Sequence, residues 1–321
     1  MSLHSALIKL QASVALSVLL CATPLLLLAA LVAKICESFY TFFVPSRKCF
    51  IGEVALVTGG AHGLGRAISL ELAKMGCHMA IVDIDLQGAE ETVKQISETF
   101  TVQAKAYKVN VANYTEVNEL KSNIVNDLGP VTILVNNAGI LLLNNSVEPE
   151  PNDVQRMIDV NLTSHFWTKC VFLPTMKQLR KGHIVSISSL SSIFSLPYNC
   201  PYSASKSGVC GHMKALRLEL AFERQHNIHV CTVMPSFLQT NDEITKIAKN
   251  VRFNDFYPLI SGPAAARRIV QGMLRGEREV LLPGIASIMY RALVLLPVSW
   301  QDNLFLLIAN KQIHQFYKLR T

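Results

Sequence analysis

The chain has 321 residues, a mass of 35.5 kDa, a formal net charge of +7 and a hydrophobic fraction of 50%. This length accommodates one large or two small domains, and the apolar content excludes a disordered chain, which would lack the residues to form a core. The excess charge lies in the last quarter, where residues 246–321 contain 11 Lys and Arg against 4 Asp and Glu. These basic residues alternate with apolar runs, so the sequence does not favour nucleic-acid binding.

The eight cysteines stand singly along the chain, and no two of them form a CxxC pair. This spacing excludes a compact disulfide framework and gives no reason to expect a metal site. Reduced thiols in a cytosolic domain are the interpretation that fits best.

An uncharged apolar stretch occupies residues 10–33. At about 1.5 Å per residue, it is long enough to cross a bilayer core of roughly 30 Å. A cleaved signal peptide is the alternative, but its apolar region spans only about 7–15 residues and precedes a small-x-small cleavage site. The sequence therefore predicts an uncleaved membrane anchor and basic linker over residues 1–48. Lys34, Arg47 and Lys48 follow the apolar stretch, which weakly favours a cytosolic position for the next domain.

From Glu53 to about residue 280, short β-branched runs alternate with amphipathic segments, a pattern typical of a parallel sheet with crossover helices. The predicted strands include EVALVTGG, HMAIVDID, VQAKAYKVNV and VTILVNNAG, and the helices between them are GRAISLELAKMG, LQGAEETVKQISETF and NYTEVNELKSNIVNDLG. No change of composition interrupts this alternation. We therefore expect a single α/β domain over residues 49–283, with a Rossmann-type doubly wound parallel sheet.

The C-terminal extension, residues 284–321, is both apolar and basic. Its segment PGIASIMYRALVLLPVSW has apolar residues at helical spacing. Two interpretations remain open: a helix that faces the protein core, or an interfacial helix on an anionic membrane surface.

The first predicted strand-to-helix turn contains Gly59, Gly63 and Gly65 in the segment TGGAHGLG. Glycines at this position allow a pyrophosphate to approach the backbone N–H groups at the helix N-terminus. Asp83 ends the next predicted strand, where an acid accepts hydrogen bonds from ribose hydroxyls and repels a 2′-phosphate. The sequence thus favours NAD over NADP as cofactor.

Four ordered motifs carry a resemblance to a known family: TGGAHGLG at 58–65, NNAG at 136–139, SISS at 186–189 and YSASK at 202–206. In this order and spacing they resemble the short-chain dehydrogenase/reductase family, over roughly residues 50–283. The resemblance implies a Rossmann-type domain that transfers a hydride between NAD(H) and a CH–OH group.

The resemblance also implies four catalytic residues, and their chemistry suits these roles. Tyr202 would be the acid/base, Lys206 its partner, Ser189 the hydroxyl that orients the substrate, and Asn161 the support of a proton-relay water. A nearby cation is expected to lower the pKa of a phenol toward neutral pH, where a general base works efficiently. A hydroxyl beside the substrate oxygen stabilises the charge that develops there.

The family resemblance implies the following cofactor-binding residues: Gly59, Gly63, Leu64, Gly65, Asp83, Asn110, Val111, Asn137, Ala138, Gly139, Tyr202, Lys206, Pro235 and Thr240. Two of the chain's residues depart from the family pattern. Asn110 replaces an acid that contacts adenine, and Ser236 replaces a glycine after Pro235. Both departures affect contacts with the cofactor.

The N-terminal apolar stretch and the C-terminal extension resemble the membrane-associated subgroup that contains retinol dehydrogenases and 17-beta-hydroxysteroid dehydrogenases. This resemblance implies a lipophilic alcohol as substrate, contact with membrane lipid at the endoplasmic reticulum or lipid droplets, and a homodimer. Retinol is our first expectation, and a 17-beta-hydroxysteroid or another lipid alcohol is the alternative. A second alternative is a cofactor-binding scaffold without essential catalysis.

Overall fold

The computed structural model describes residues 32, 50–142, 150–195, 197, 199–240, 259–284, 290, 293, 296–304 and 306. The chain divides into two compact units, residues 1–48 and 49–321. The predicted N-terminal anchor lies outside the described residues, apart from Val32. In the part of the chain that the structure describes, no helix combines the length and the apolar content that crossing a bilayer requires.

Nine strands are described, and seven of them form the central sheet. The strands are β1 (Val54–Thr58), β2 (His78–Asp83), β3 (Ala104–Lys108), β4 (Val131–Asn136), β5 (Gly182–Ile187), β6 (Ile228–Pro235), β7 (Leu238–Gln239), β8 (Ile260–Ser261) and β9 (Glu279–Leu282). The central sheet has the order β3-β2-β1-β4-β5-β6-β9, and all its strands are parallel. The remaining two, β7 and β8, pair with each other.

Seven α-helices are described: α1 (Gly63–Lys74), α2 (Leu86–Thr99), α3 (Tyr114–Asp127), α4 (Pro151–Ile158), α5 (Ser164–Leu179), α6 (Cys200–Phe222) and α7 (Gly262–Arg275). A π-helical turn, Asp159–Thr163, joins α4 to α5. A short 3-10 turn, Leu190–Ser192, follows β5.

The central strands are apolar on both sides because helices cover both faces of the sheet. All residues of β1 and β4 are buried. One face packs against α1, α2 and α7, with Ile68, Ile96 and Ile269 among the buried residues. The other face packs against α3, α5 and α6, where Ile124 and Phe172 are buried.

The structure confirms the predicted Rossmann-type parallel sheet. The chain winds outward from β1 in one direction through β2 and β3, and in the other through β4, β5 and β6. In such sheets a crevice opens at the carboxyl ends of the strands where the winding direction reverses. The loops after β1 and β4 therefore lie where a ligand would bind.

Candidate active site

The glycine loop after β1 has a backbone that requires glycine. Gly59 and Gly63 adopt positive φ angles of 64° and 54°, in the left-handed region that glycine enters without strain. A Cβ at Gly65 would overlap the carbonyl oxygen of Gly59 and lie 2.6 Å from Asn137 Nδ2. The three glycines thus leave the backbone of the loop open at the start of α1.

The N-terminus of α1 suits a pyrophosphate. His62 precedes the helix, and its side chain forms no hydrogen bond that caps the first turn. The N–H groups of a first turn lack partners within the helix, and together with the helix dipole they attract an anion. Leu64, in this turn, is half-buried and packs against the core.

Asp83 lies at the carboxyl end of β2, as the sequence predicts, and faces the glycine loop. Its Oδ2 accepts a hydrogen bond of 3.0 Å from the Ala61 amide, and its Oδ1 accepts one of 3.1 Å from the Asp85 amide. Each carboxylate oxygen has further lone pairs for the hydroxyls of a ribose. The carboxylate would also repel a 2′-phosphate.

The NNAG segment after β4 is fixed to the glycine loop by Thr58, a residue for which the sequence predicted no role in the site. Thr58 Oγ1 accepts hydrogen bonds from the amides of Asn137 and Ala138, at 3.0 and 3.1 Å. Asn137 Nδ2 donates to the carbonyl oxygens of Thr58 and Gly59, each at 3.0 Å. The threonine of TGGAHGLG is the sequence signal that could have identified this contact.

The first turns of α6 bring Tyr202 and Lys206 together, four residues apart on one face of the helix. Lys206 Nζ lies 5.8 Å from the centre of the Tyr202 ring and donates a hydrogen bond of 3.0 Å to the Ile187 carbonyl oxygen. The Ser189 side chain, beyond the end of β5, lies beside Tyr202 and acts to lower the pKa of its phenol. Ser189 is therefore the serine of the SISS motif that faces the phenol.

The neighbouring serines have structural contacts. Ser188 Oγ donates to the Lys206 carbonyl oxygen at 2.8 Å, and Ser192 Oγ donates to the Ser189 carbonyl oxygen at 2.6 Å. The Ser191 amide donates to Ser189 Oγ at 3.1 Å. These bonds fix the position of Ser189 relative to α6.

Asn161 lies in the π-helical turn and is fully buried. Its Oδ1 accepts a hydrogen bond of 2.7 Å from the Ile140 amide, and its Nδ2 donates to the Ile140 carbonyl oxygen at 2.9 Å. A Cβ at Gly139 would lie 3.2 Å from Lys206 Nζ and 3.3 Å from Asn161 Oδ1. The structure thus brings Asn161, Gly139 and Lys206 to one place.

Burial dominates the electrostatics of the candidate catalytic pair. Removal from water raises the pKa of Tyr202, and the nearby Ser189 side chain acts in the opposite direction. Removal from water also lowers the pKa of Lys206 to about 8, while the nearby Cys210 acts to raise it. Our expectation that the cation lowers the phenol pKa is therefore wrong for the protein alone, because desolvation is the larger effect.

The remaining predicted cofactor residues border the same crevice. Asn110 is exposed after β3, and its Oδ1 accepts a hydrogen bond of 3.1 Å from the Ala112 amide. Val111 beside it is buried. Pro235 ends β6, and Thr240 contacts the glycine loop, since a Cβ at Gly63 would lie 3.3 Å from Thr240 Cβ.

Ser236 replaces the family's glycine without backbone strain. Among the described residues other than glycine, positive φ angles occur at Arg180 and Arg224, so residue 236 has an ordinary backbone conformation. Its amide donates to the Leu282 carbonyl oxygen at 2.8 Å. Glycine is therefore not required at this position.

Comparison with known proteins agrees with this geometry. The family model for short chain dehydrogenases matches residues 53–250. Human 17-beta-hydroxysteroid dehydrogenase 13 is 30% identical over 274 residues, which cover 85% of this chain and 89% of that protein. Human estradiol 17-beta-dehydrogenase 11 is 30% identical over 260 residues, covering 81% of this chain and 84% of that protein.

Among solved structures, a short-chain dehydrogenase/reductase from Burkholderia phymatum in complex with NAD has a TM-score of 0.68 at 21% identity. The match covers 75% of this chain and 92% of that structure. At this identity the likeness supports the fold. Together with the family model and the two human relatives, it establishes that the chain belongs to the short-chain dehydrogenase family, alongside proteins of the 17-beta-hydroxysteroid dehydrogenase subgroup.

Proposed function

We propose that this oxidoreductase uses NAD to oxidise a lipophilic secondary alcohol of the 17-beta-hydroxysteroid type, or catalyses the reverse reaction. The observation that carries the proposal is the convergence of Tyr202, Lys206 and Ser189, with Lys206 Nζ next to Gly139 of the NNAG segment. The sequence alone led us to expect retinol. The names of the two human relatives support the steroid alternative instead.

The residues of the crevice fit NAD. Gly59, Gly63 and Gly65 leave space for a pyrophosphate at the N-terminus of α1. Asp83 would accept hydrogen bonds from the adenosine ribose. When bound, the nicotinamide would accept a hydride from the carbinol carbon or return one to a carbonyl carbon.

The protein's own residues would handle the proton and the substrate oxygen. Tyr202 takes the proton of the alcohol during oxidation as its phenolate and, as the resulting phenol, gives a proton back during reduction. The Ser189 hydroxyl, beside Tyr202, holds the same substrate oxygen. Lys206 supplies positive charge from a buried position, with Nζ held by the Ile187 carbonyl oxygen. Asn161 fixes the main chain of Ile140 next to Gly139.

A cofactor-binding scaffold without essential catalysis is the competing function. A scaffold has no physical need for a buried lysine beside a phenol and a serine, because burying a charge costs stability. Lys206 is 4% exposed, so this cost applies here. The arrangement therefore favours the enzyme.

We further propose attachment to the endoplasmic reticulum or to lipid droplets through residues 10–33, with the catalytic domain in the cytosol. The exposed apolar residues Val298, Trp300, Leu304 and Leu306 in the C-terminal extension support contact with lipid, since tryptophan favours the membrane interface. Replacing Leu20 and Leu25 by arginine should move the protein from the membrane fraction to the soluble fraction, whereas alanine at both positions should not. Unchanged sedimentation of the arginine variant would contradict the anchor.

The substrate can be tested with microsomes that contain the full-length protein. They are offered NAD with estradiol and, separately, with all-trans-retinol, and NADH formation is followed for the wild type and Tyr202→Phe. We expect Tyr202-dependent oxidation of estradiol to be the faster of the two. Faster oxidation of retinol would instead support a retinol dehydrogenase, as we expected from the sequence. If the protein bound NAD but oxidised no alcohol in a wider panel of lipid alcohols, the result would support a cofactor-binding scaffold.

A further inference from the structure

His165 is a buried histidine that has no role in the reaction described so far. It lies in the first turn of α5 and is 1% exposed. Its Nδ1 lies 3.0 Å from Ser186 Oγ, and its Nε2 has no hydrogen-bond partner among the described residues. A buried polar atom without a partner costs stability, so packing alone would favour an apolar side chain at this position.

Ser186 belongs to a series of buried polar side chains that sets the direction of this contact. Thr168 Oγ1 donates a hydrogen bond of 2.8 Å to Asn136 Oδ1, and Asn136 Nδ2 donates one of 3.4 Å to Ser186 Oγ. Because Ser186 accepts from Asn136, its single proton is available for His165 Nδ1. The imidazole is then the neutral tautomer that carries its proton on Nε2.

The surroundings of His165 keep its imidazole neutral. Removal from water lowers the pKa of His165 well below its usual value, and the charges of Lys206 and His212 on α6 act in the same direction. A protonated Nδ1 could no longer accept the Ser186 proton. The hydrogen bond between α5 and β5 is therefore maintained near neutral pH.

This hydrogen bond connects two parts of the candidate active site. On α5, His165 follows the π-helical turn that contains Asn161. On β5, Ser186 directly precedes Ile187, whose carbonyl oxygen accepts the hydrogen bond of 3.0 Å from Lys206 Nζ. The contact therefore joins the helix that follows Asn161 to the strand end that holds the lysine.

We propose that His165 is a positioning residue, which fixes the end of β5 relative to α5 and thereby places Lys206 and Ser189 for the reaction. It acts through Ser186. Such a role affects turnover strongly, because a misplacement of about 1 Å can lower the rate about 100-fold. The inference rests on the proposed dehydrogenase activity and adds a residue to the four that handle the proton and the substrate oxygen.

The test measures kcat, NADH affinity and thermal unfolding on the detergent-solubilised full-length protein, with the alcohol that the wild type oxidises fastest. His165→Phe replaces the imidazole by an apolar ring. We expect kcat to fall by about 10-fold while NADH affinity stays within about 2-fold. The unfolding temperature should stay within about 3 °C of the wild type, because added apolar burial offsets the lost hydrogen bond.

Two amide variants show which nitrogen of the imidazole matters. His165→Asn should bring kcat back to within about 3-fold of the wild type, because its amide reaches the position of Nδ1 and can accept the Ser186 proton. His165→Gln has its amide at the position of Nε2 and should not recover kcat. The matched control is His212→Phe, at the residue that stacks on Phe166, which should change kcat less than about 2-fold.

A double variant tests whether His165 acts through Ser186. Ser186→Ala removes the partner of the imidazole, so combining it with His165→Phe should lower kcat no further than the larger of the two single effects. Losses that multiply in the double variant would overturn the proposal, and so would an unchanged kcat in His165→Phe.

The unfolding temperature separates a positioning role from a structural one. A fall of about 10 °C or more in His165→Phe would identify His165 as a residue that mainly stabilises the fold, whatever its effect on kcat. A wild type that oxidises no alcohol would instead contradict the proposed function, so the two failures are distinguishable.

Discussion

Lys206 is a buried cation, and its burial lowers the stability of the folded protein. It is 4% exposed, and burial lowers its pKa from 10.5 to about 8. Between about pH 8 and pH 10.5, the lysine at position 206 binds a proton more often in the unfolded chain than in the folded chain. The free energy of unfolding therefore rises by about 3 kcal/mol in total as the pH increases from about 8 to 10.5. Below pH 8 the lysine is charged in the folded protein, so the full cost of burying the charge is present there.

We predict that Lys206→Met unfolds at a higher temperature than the wild type at pH 7 but loses turnover. The difference in stability should shrink as the pH rises from 8 toward 10.5, because the wild-type lysine then becomes neutral. The difference in stability is measured by thermal unfolding of the two detergent-solubilised proteins at several pH values between 7 and 10.5. Lys214→Met, at an exposed position of α6, is the matched control. A stability difference that is independent of pH would show that the buried charge is not its cause.

At the scale of single residues, the sequence predicted the location of a site residue correctly where that residue belongs to a motif. Asp83 lies beside the glycine loop as predicted, because a residue that ends β2 must reach the same sheet edge as the loop after β1. The direction of the Tyr202 pKa could not be predicted, since it depends on desolvation by residues distant in sequence. The contact of His62 with Asp85 spans 23 residues and carries no sequence signal.

At the scale of elements, the glycine loop illustrates how close packing positions a ligand site. Gly65 lies in the first turn of α1, and a side chain there would collide with the main chain of Gly59. Gly211, in α6, has no atom within 4 Å of a hypothetical Cβ. The two helical glycines therefore differ in the space around them.

We expect Gly65→Ala to destabilise the protein by about 1–3 kcal/mol and to abolish NADH binding, because the overlap forces the loop to move. Gly211→Ala should instead stabilise α6 by about 0.5–1 kcal/mol and leave binding intact. Thermal unfolding and NADH titration of both variants provide the comparison. Normal NADH binding by Gly65→Ala would argue against the loop as the pyrophosphate site.

The elements predicted in order from β1 to β4 are present, because parallel strands and their crossover helices have strong periodic patterns. The π-helical turn that places Asn161 was not predicted. Within this turn, Asn161 forms hydrogen bonds with Ile140, 21 residues earlier. Local periodicity contains no information about such contacts.

At the scale of the whole molecule, α5 and α6 carry exposed apolar side chains, which agrees with the homodimer expected from the sequence. Leu218 and Phe222 are 65% and 91% exposed, and Phe166 on α5 is 40% exposed. The ion pairs of Lys169 with Glu219 and of Lys177 with Glu223 join the two helices. Leu218 and Phe222 are four residues apart on α6, and exposed apolar side chains that share a helix face often mark a protein interface.

We predict that Leu218→Asp combined with Phe222→Asp weakens self-association by at least about 100-fold, because each buried apolar side chain contributes about 2 kcal/mol. Sedimentation velocity of the solubilised protein measures the change. Val125→Asp, a similar substitution at a 43% exposed residue of α3, should leave the association state unchanged. If the α6 double variant and Val125→Asp changed self-association equally, the interface would not lie on α6.

The fold of the catalytic domain followed from its sequence, since the alternation of strands and helices admits few topologies. Residues 1–31, 33–49 and 241–258 lie outside the described part of the chain. The predicted anchor therefore stays a prediction, and so does the membrane contact. The substrate could not be read from the motifs, because they handle only the reacting carbon and oxygen common to many alcohols.

The central claim is that Tyr202 performs the proton transfer in an NAD-binding site. Its most direct test measures NADH affinity and alcohol-dependent NADH formation on the same preparations of wild type and Tyr202→Phe. Loss of the hydroxyl alone should leave NADH affinity within about 3-fold, since the ring and Lys206 remain, while turnover falls by at least about 100-fold. Retained turnover, or loss of NADH binding together with turnover, would contradict the role assigned to this residue.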